Sequence, residues 1–186
     1  MRRASFAWRA AAALPLMAAA MVVAGCGGDD GTGPAFTLDQ VAGVYDPVKL
    51  TFDPQGSVPP ADILAALVSS GIEPELNIAR TGAFDIFFRD PDTGEVTLLE
   101  GHAEATSDGA RLTFDSQADA NKVLLPRFLT LAFDEAEGTL SFSGNAQLSR
   151  ARLLQLFPDL YGDEQLLDPT PGTLTVEFDR TTSATT

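Results

Sequence analysis

The chain has one cysteine, one histidine and one tryptophan in 186 residues, and 26 acidic side chains outnumber 12 basic ones. Each shortage excludes something. With Cys26 alone, no internal disulfide can form, so the folded part must be stabilised by burial. With His102 as the only imidazole, most serine-hydrolase and multi-histidine metal designs lose their parts. The sequence also contains no Gly-x-Ser-x-Gly elbow and no glycine-rich phosphate loop. A formal net charge of -14 repels phosphodiester backbones and anionic headgroups, which argues against nucleic acid as a partner. The chain therefore reads as a non-enzyme, with no cofactor and no resident metal.

What is present begins at the N-terminus. Arg2, Arg3 and Arg9 precede an apolar run, Ala10 to Ala24, interrupted by Pro15. That run falls short of the ~20 residues that cross a bilayer as a helix. A positive start, an apolar middle and small residues before a cut make a secretory signal. The four residues Val23-Ala24-Gly25-Cys26 resemble the lipobox of bacterial lipoproteins. The resemblance implies cleavage between Gly25 and Cys26, diacylglycerol on the Cys26 sulfur, and acylation (a palmitate-type chain) of the new amine. Several acyl chains hold a protein where a single one binds only reversibly. Gly27 stands where many inner-membrane lipoproteins have Asp. The resemblance thus implies a bacterial envelope protein anchored to a membrane through Cys26, in the outer membrane facing the periplasm rather than the inner one.

Three segments follow from this: a signal peptide at 1–25, a lipidated cysteine and tether at 26–35, and a single domain at 36–186. The tether, Gly27 to Ala35, has four glycines and no apolar period. As a flexible coil it reaches roughly 15–18 Å. Removing the signal removes three arginines and no acid, which moves the formal charge from -14 to -17.

The domain is dominated by period-two alternation, the pattern of strands with one wet and one dry face. After a helical turn capped by Thr37 and stopped at Gly43, the side chains Val44, Val48, Leu50 and Phe52 alternate with Tyr45, Lys49, Thr51 and Asp53. Further strands are expected at roughly 74–80, 83–90, 95–106, 109–115, 127–135, 138–147 and 172–180. Turn sequences such as Arg80-Thr81-Gly82, Ser107-Asp108-Gly109 and Glu135-Ala136-Glu137-Gly138 join neighbours as antiparallel hairpins. Two short helices interrupt them. One, within 59–70, carries Ile63, Leu64, Leu67 and Val68 on an apolar stripe and ends at Gly71. The other is capped by Ser149, carries Leu153, Leu154, Leu156 and Phe157, and stops at Pro158.

Few residues offer chemistry. Glu100, His102 and Glu104 share one face of a strand, with Gly101 as the natural place for a bulge. Such a trio suits a solvated face, a polar pocket lining or a metal, although same-face neighbours on one strand diverge. Asp90 to Glu95 looks superficially like a calcium loop but lacks its third acid and distal Glu. Asp163, Glu164 and Asp168 fall in a late polar loop.

Eight antiparallel strands close as an up-and-down barrel or split into a two-sheet β-sandwich; the barrel, which removes exposed edges, is preferred. Val41-Ala42-Gly43-Val44-Tyr45 resembles the Gly-x-Trp/Tyr opening of lipocalin-like proteins, with Tyr45 where tryptophan is usual. The strand count and the long first connection, Pro54 to Pro74, fit the same family. The amphipathic helix between the first two strands lies where a lid would be, so one expectation is a small barrel that binds an apolar molecule under a lid formed by Ile63, Leu64, Leu67 and Val68. The alternative is a structural or protein-interaction module with a filled core, packed by the chain's 12 phenylalanines, and with a protein partner that the sequence does not name.

Overall fold

The computed structural model describes residues 36–89, 94–162 and 166–182. The lipobox, Cys26, the tether and the acids Asp90, Asp92, Asp163 and Glu164 lie outside the described residues.

Helix α1, Leu38–Val41, opens the domain with a capping box: the Thr37 N–H donates to Gln40 Oε1 at 2.8 Å. Strand β1, Gly43–Pro54, follows directly. A two-residue strand β2, Ala61–Asp62, leads into helix α2, Ile63–Ser69, whose N-cap Asp62 accepts from the Ala65 N–H at 2.9 Å. Then come β3 (Leu76–Ile78), β4 (Ala83–Arg89), β5 (Val96–Ala105) and β6 (Gly109–Phe114). Helix α3, Gln117–Lys122, separates β6 from β7 (Phe128–Asp134) and β8 (Thr139–Leu148). Helices α4 (Arg150–Leu156) and α5 (Pro158–Tyr161) precede β9 (Thr170–Thr182).

All pairings are antiparallel and run in sequence order, and β9 returns to pair with β1 from Pro54–Gly172 to Val44–Thr182. The sheet therefore closes on itself as an eight-stranded up-and-down barrel of β1 and β3–β9, the layout expected of a lipocalin-like barrel, and not as a sandwich. Strand β2 is an appendage on β1. The short turns β3–β4, β5–β6 and β7–β8 lie at the end where β1 begins, with α1. Helices α2, α3, α4 and α5 all follow strands that finish at the opposite end.

The structure departs from the sequence pattern at four points. Helices number five among the described residues, where one helical turn and two helices were expected: α3 and α5 are additional, and Pro158 starts α5 as its first residue instead of only ending α4. The register of β1 against β9 shifts between Pro47 and Lys49. This bulge reverses the phase of the strand, so Tyr45, Leu50 and Phe52 all point inward while Val48 is exposed. Pro47 has no N–H to give to the ladder, which makes the site a natural place for the slip. By contrast, β5 runs through Gly101 with no register shift on either side. Finally, α1 stops two residues before Gly43. That glycine opens β1 and leaves room for a neighbouring arginine, since a Cβ there would lie 3.0 Å from Arg180 Nε.

One continuous apolar cluster fills the barrel and reaches into the helices at its far end, through Ile63, Leu67, Ala120, Leu153 and Tyr161.

Candidate functional site

Two ends and an interior offer themselves as sites. At the first end, Arg180 on β9 lies between the rings of Tyr45 and Phe133, with its guanidinium carbon 5.2 and 5.0 Å from their centroids. Its Nη2 donates to Tyr45 Oη at 2.7 Å and to the Gln40 carbonyl at 2.5 Å, and its Nε donates to Tyr45 Oη at 3.2 Å. The Tyr45 hydroxyl donates in turn to the Val41 carbonyl at 2.6 Å. Burial raises the Tyr45 pKa above the usual phenol value, and the Arg180 hydrogen bond opposes that rise without cancelling it. The network ties α1 across the barrel mouth and fills it.

The expected lid is α2. Ile63 and Leu67, four residues apart, are fully buried, and Leu64 packs partly against the core. Val68 departs from the expected stripe: it is 49% exposed. The helix stops where Gly71, at φ +76°, lets the Ile72 N–H return to the Leu67 carbonyl at 2.9 Å and buries Ile72 beneath. Helix α5 is tied to the segment leading into α2, because Tyr161 Oη donates to the Pro59 carbonyl at 2.9 Å. Burial first, and the nearby Asp53 charge second, push the Tyr161 pKa up to about 12. Helix α4 is tied to α3 by Arg152, whose Nε and Nη2 donate to the Lys122 carbonyl at 3.2 and 3.1 Å. These helices cover the second end as a mutually bonded layer.

Aromatic rings pack the interior. Phe84 and Phe114 meet edge to face at 5.2 Å. A Cβ on Gly101 would lie 2.5 Å from the Phe84 ring, and one on Gly172 would lie 2.5 Å from the Phe52 ring. Gly101 is thus a place where a ring sits on bare backbone, which explains a glycine there with no bulge.

The strand trio is on the outside. Leu99, Gly101 and Ala103 face inward, and Glu100, His102 and Glu104 face solvent, along with Leu98 at 53% exposure. His102 Nδ1 reaches Asp115 at 3.3 Å with both side chains well exposed. Among the described residues no three His, Cys, Asp or Glu side chains converge on a common point. Asp168 lies exposed at the rim, beside Pro169.

Sequence reasoning missed a groove at the second end. It has a volume of about 510 Å³, within the ~300–1,000 Å³ of ligand sites. Gln55, Gln117, Asn145 and Gln147 line it together with Arg127 and Phe128. Phe128 is 62% exposed, with the Arg127 guanidinium over its ring at 5.4 Å. A second hollow of about 310 Å³ adjoins it, sharing Gln117 and Gln147 and reaching Asn121 and Asp168. Five segments of the chain contribute these side chains, so no local motif could have announced the groove. No protein-family model matches the chain, and a search of curated proteins finds no relative.

Proposed function

We propose that the protein is a non-catalytic lipoprotein of the bacterial envelope, anchored through lipid on Cys26, whose barrel is a solid interaction module. The observation that carries the second half is the packing of the interior, where the rings of Phe84 and Phe52 occupy the space over Gly101 and Gly172. A carrier needs that volume for its ligand. Tyr45 and Arg180 at one end and the bonded helices at the other leave the outer surface as the working part. The anchor rests on Val23-Ala24-Gly25-Cys26 behind the apolar run, and Gly27 favours the outer membrane.

Two measurements test it. Cells fed a clickable palmitate analogue should label the wild-type chain, and Cys26→Ala should abolish the label; equal labelling ends the anchor reading. Titration of the chain starting at residue 27 with a fluorescent fatty acid should give no saturable signal.

One observation favours a second reading, in which the barrel carries an apolar molecule. Along β8 the inward residues Phe142, Gly144 and Ala146 are only half-buried, unlike the inward residues of β7. Saturable fatty-acid binding lost on Phe142→Asp would establish the carrier in place of the module.

A further inference from the structure

The wall of the barrel is incomplete at one seam. Strands β7 and β8 are paired only at Asp134–Thr139, Phe133–Leu140 and Ala132–Ser141, next to their turn. Beyond these the two strands run on without a ladder, β7 back to Phe128 and β8 forward to Leu148. Each is fixed from behind. Strand β7 pairs with β6 as far as Thr113–Phe128, and β8 pairs with β9 along its whole length.

The direction of the free groups follows from the alternation of an antiparallel ladder. The Arg127 carbonyl accepts from the Phe114 N–H, so odd-numbered residues of β7 turn to β6 and even-numbered ones to β8. The Arg180 N–H donates to the Gly138 carbonyl, so even-numbered residues of β8 turn to β9 and odd-numbered ones to β7. The peptide groups of Phe128 and Thr130 on one side, and of Ser143 and Asn145 on the other, therefore aim into the gap without a ladder partner. Two facing rows of unpaired N–H and C=O groups are a template for another strand. The 510 Å³ groove lies at this place, between Arg127–Phe128 and Asn145–Gln147.

We infer that the gap between β7 and β8 is a docking site for an extended, uncharged polypeptide segment, which adds as a strand and completes the wall. The occupant is a polypeptide because only main chain supplies donors and acceptors at the strand spacing that both edges require. It is uncharged because the groove lining is mainly amides. Arg127 is its only charge, and that guanidinium is already committed to the Phe114 and Asp115 carbonyls, at 3.2 and 3.4 Å. The amides of Gln55, Asn145 and Gln147, which have no hydrogen-bond partner among the described residues, can each give and take hydrogen bonds with peptide groups. Exposed Phe128 supplies the apolar anchor at the rim. This inference rests on the interaction-module reading and names its surface.

The test uses the full chain in detergent micelles and a fluorescein-labelled heptapeptide in which threonine alternates with valine. Anisotropy should saturate. Hydrogen exchange should slow at Phe128, Thr130, Ser143 and Asn145 and not at their neighbours. The same peptide N-methylated at alternate nitrogens should not bind. Thr130→Pro removes a donor that faces the gap and leaves the bonds to β6 in place, so it should weaken binding about tenfold. Phe128→Ala, at an exposed side chain that leaves the fold intact, should weaken it by a similar factor. No saturation, binding indifferent to N-methylation, or protection elsewhere overturns the inference. So does saturable binding of hexa-N-acetylglucosamine with protection at these residues and none by the peptide, which would make the groove a glycan site. Saturable fatty-acid binding sinks the module reading itself, whereas peptide failure without fatty-acid binding sinks only the seam.

Discussion

The two ends of the barrel are closed by different means. At the α1 end one cation, Arg180, satisfies a phenol and a carbonyl while packed between two rings, and tight turns finish the strands. At the other end no single residue dominates. Four short helices share the closure through Tyr161, Arg152 and caps at Asp62, Ser116 and Ser149, and the wall beside them lacks part of a ladder. A concentrated closure is strong and brittle. A distributed one tolerates change, and that is where a partner can be accommodated.

The largest effect should come from breaking the concentrated end. Arg180→Ala strips partners from the Tyr45 hydroxyl and the Gln40 carbonyl and removes two ring contacts. It should cost about 2–4 kcal/mol in urea unfolding, because a hydrogen bond to a charged group contributes ~1.5–3 kcal/mol and a cation–ring contact adds to it. A loss under 1 kcal/mol would show that α1 does not depend on this residue. Gly101→Ala tests the packed interior that both ends enclose. The new methyl meets the Phe84 ring and the Thr113 carbonyl, so a loss of ~1–3 kcal/mol is expected. A neutral result would mean the interior has room to spare, which would favour the carrier.

At the distributed end each change should be smaller. Tyr161→Phe deletes one hydrogen bond and should cost ~0.5–1.5 kcal/mol. It also carries a pH signature. The folded pKa of Tyr161, about 12, lies above that of a free phenol, so the neutral form is preferred on folding. Its contribution is fully present below about pH 10 and is lost as pH rises toward about 12. Thermal melts between pH 9 and 11.5 should fall more steeply for wild type than for Tyr161→Phe; parallel curves would remove Tyr161 as the cause. The smallest effect belongs to neither end. His102→Ala breaks an exposed contact with Asp115, and such pairs are worth ~0–1 kcal/mol. The melt should hardly move, with or without added zinc; a zinc-dependent rise would revive the strand trio as a site.

Much of the wall was legible because a strand with one dry face advertises itself. Leu129, Leu131 and Phe133 in β7, and Leu174, Val176 and Phe178 in β9, are all buried as their alternation requires. Strand β1 was placed correctly but with its first half turned outside in, since a bulge at Pro47–Lys49 changes the phase and alternation is blind to phase slips. Gly101 invited the opposite error: a glycine in a strand means a bulge or a close neighbour, and only the fold shows that the neighbour is Phe84. Helix α3, Gln-Ala-Asp-Ala-Asn-Lys, buries only Ala120 and so has no apolar stripe to find. Its single local signal is the reciprocal cap in which Ser116 Oγ donates to Asp119 at 2.6 Å and accepts from the Asp119 N–H at 3.0 Å. Of the lid residues, the stripe found Ile63 and Leu67 and overreached at Val68. The seam was beyond reach, because a ladder that stops leaves the sequence of each strand unchanged.

The ring of strands is joined between its first and last members, through residues 118 positions apart at Pro54 and Gly172 and 138 apart at Val44 and Thr182. The ring cannot lock until β9, Thr170–Thr182, is in place. Contacts that distant make for slow assembly. A nascent chain cut short of β9 would present β1 as a raw border, ready to stick to its neighbours.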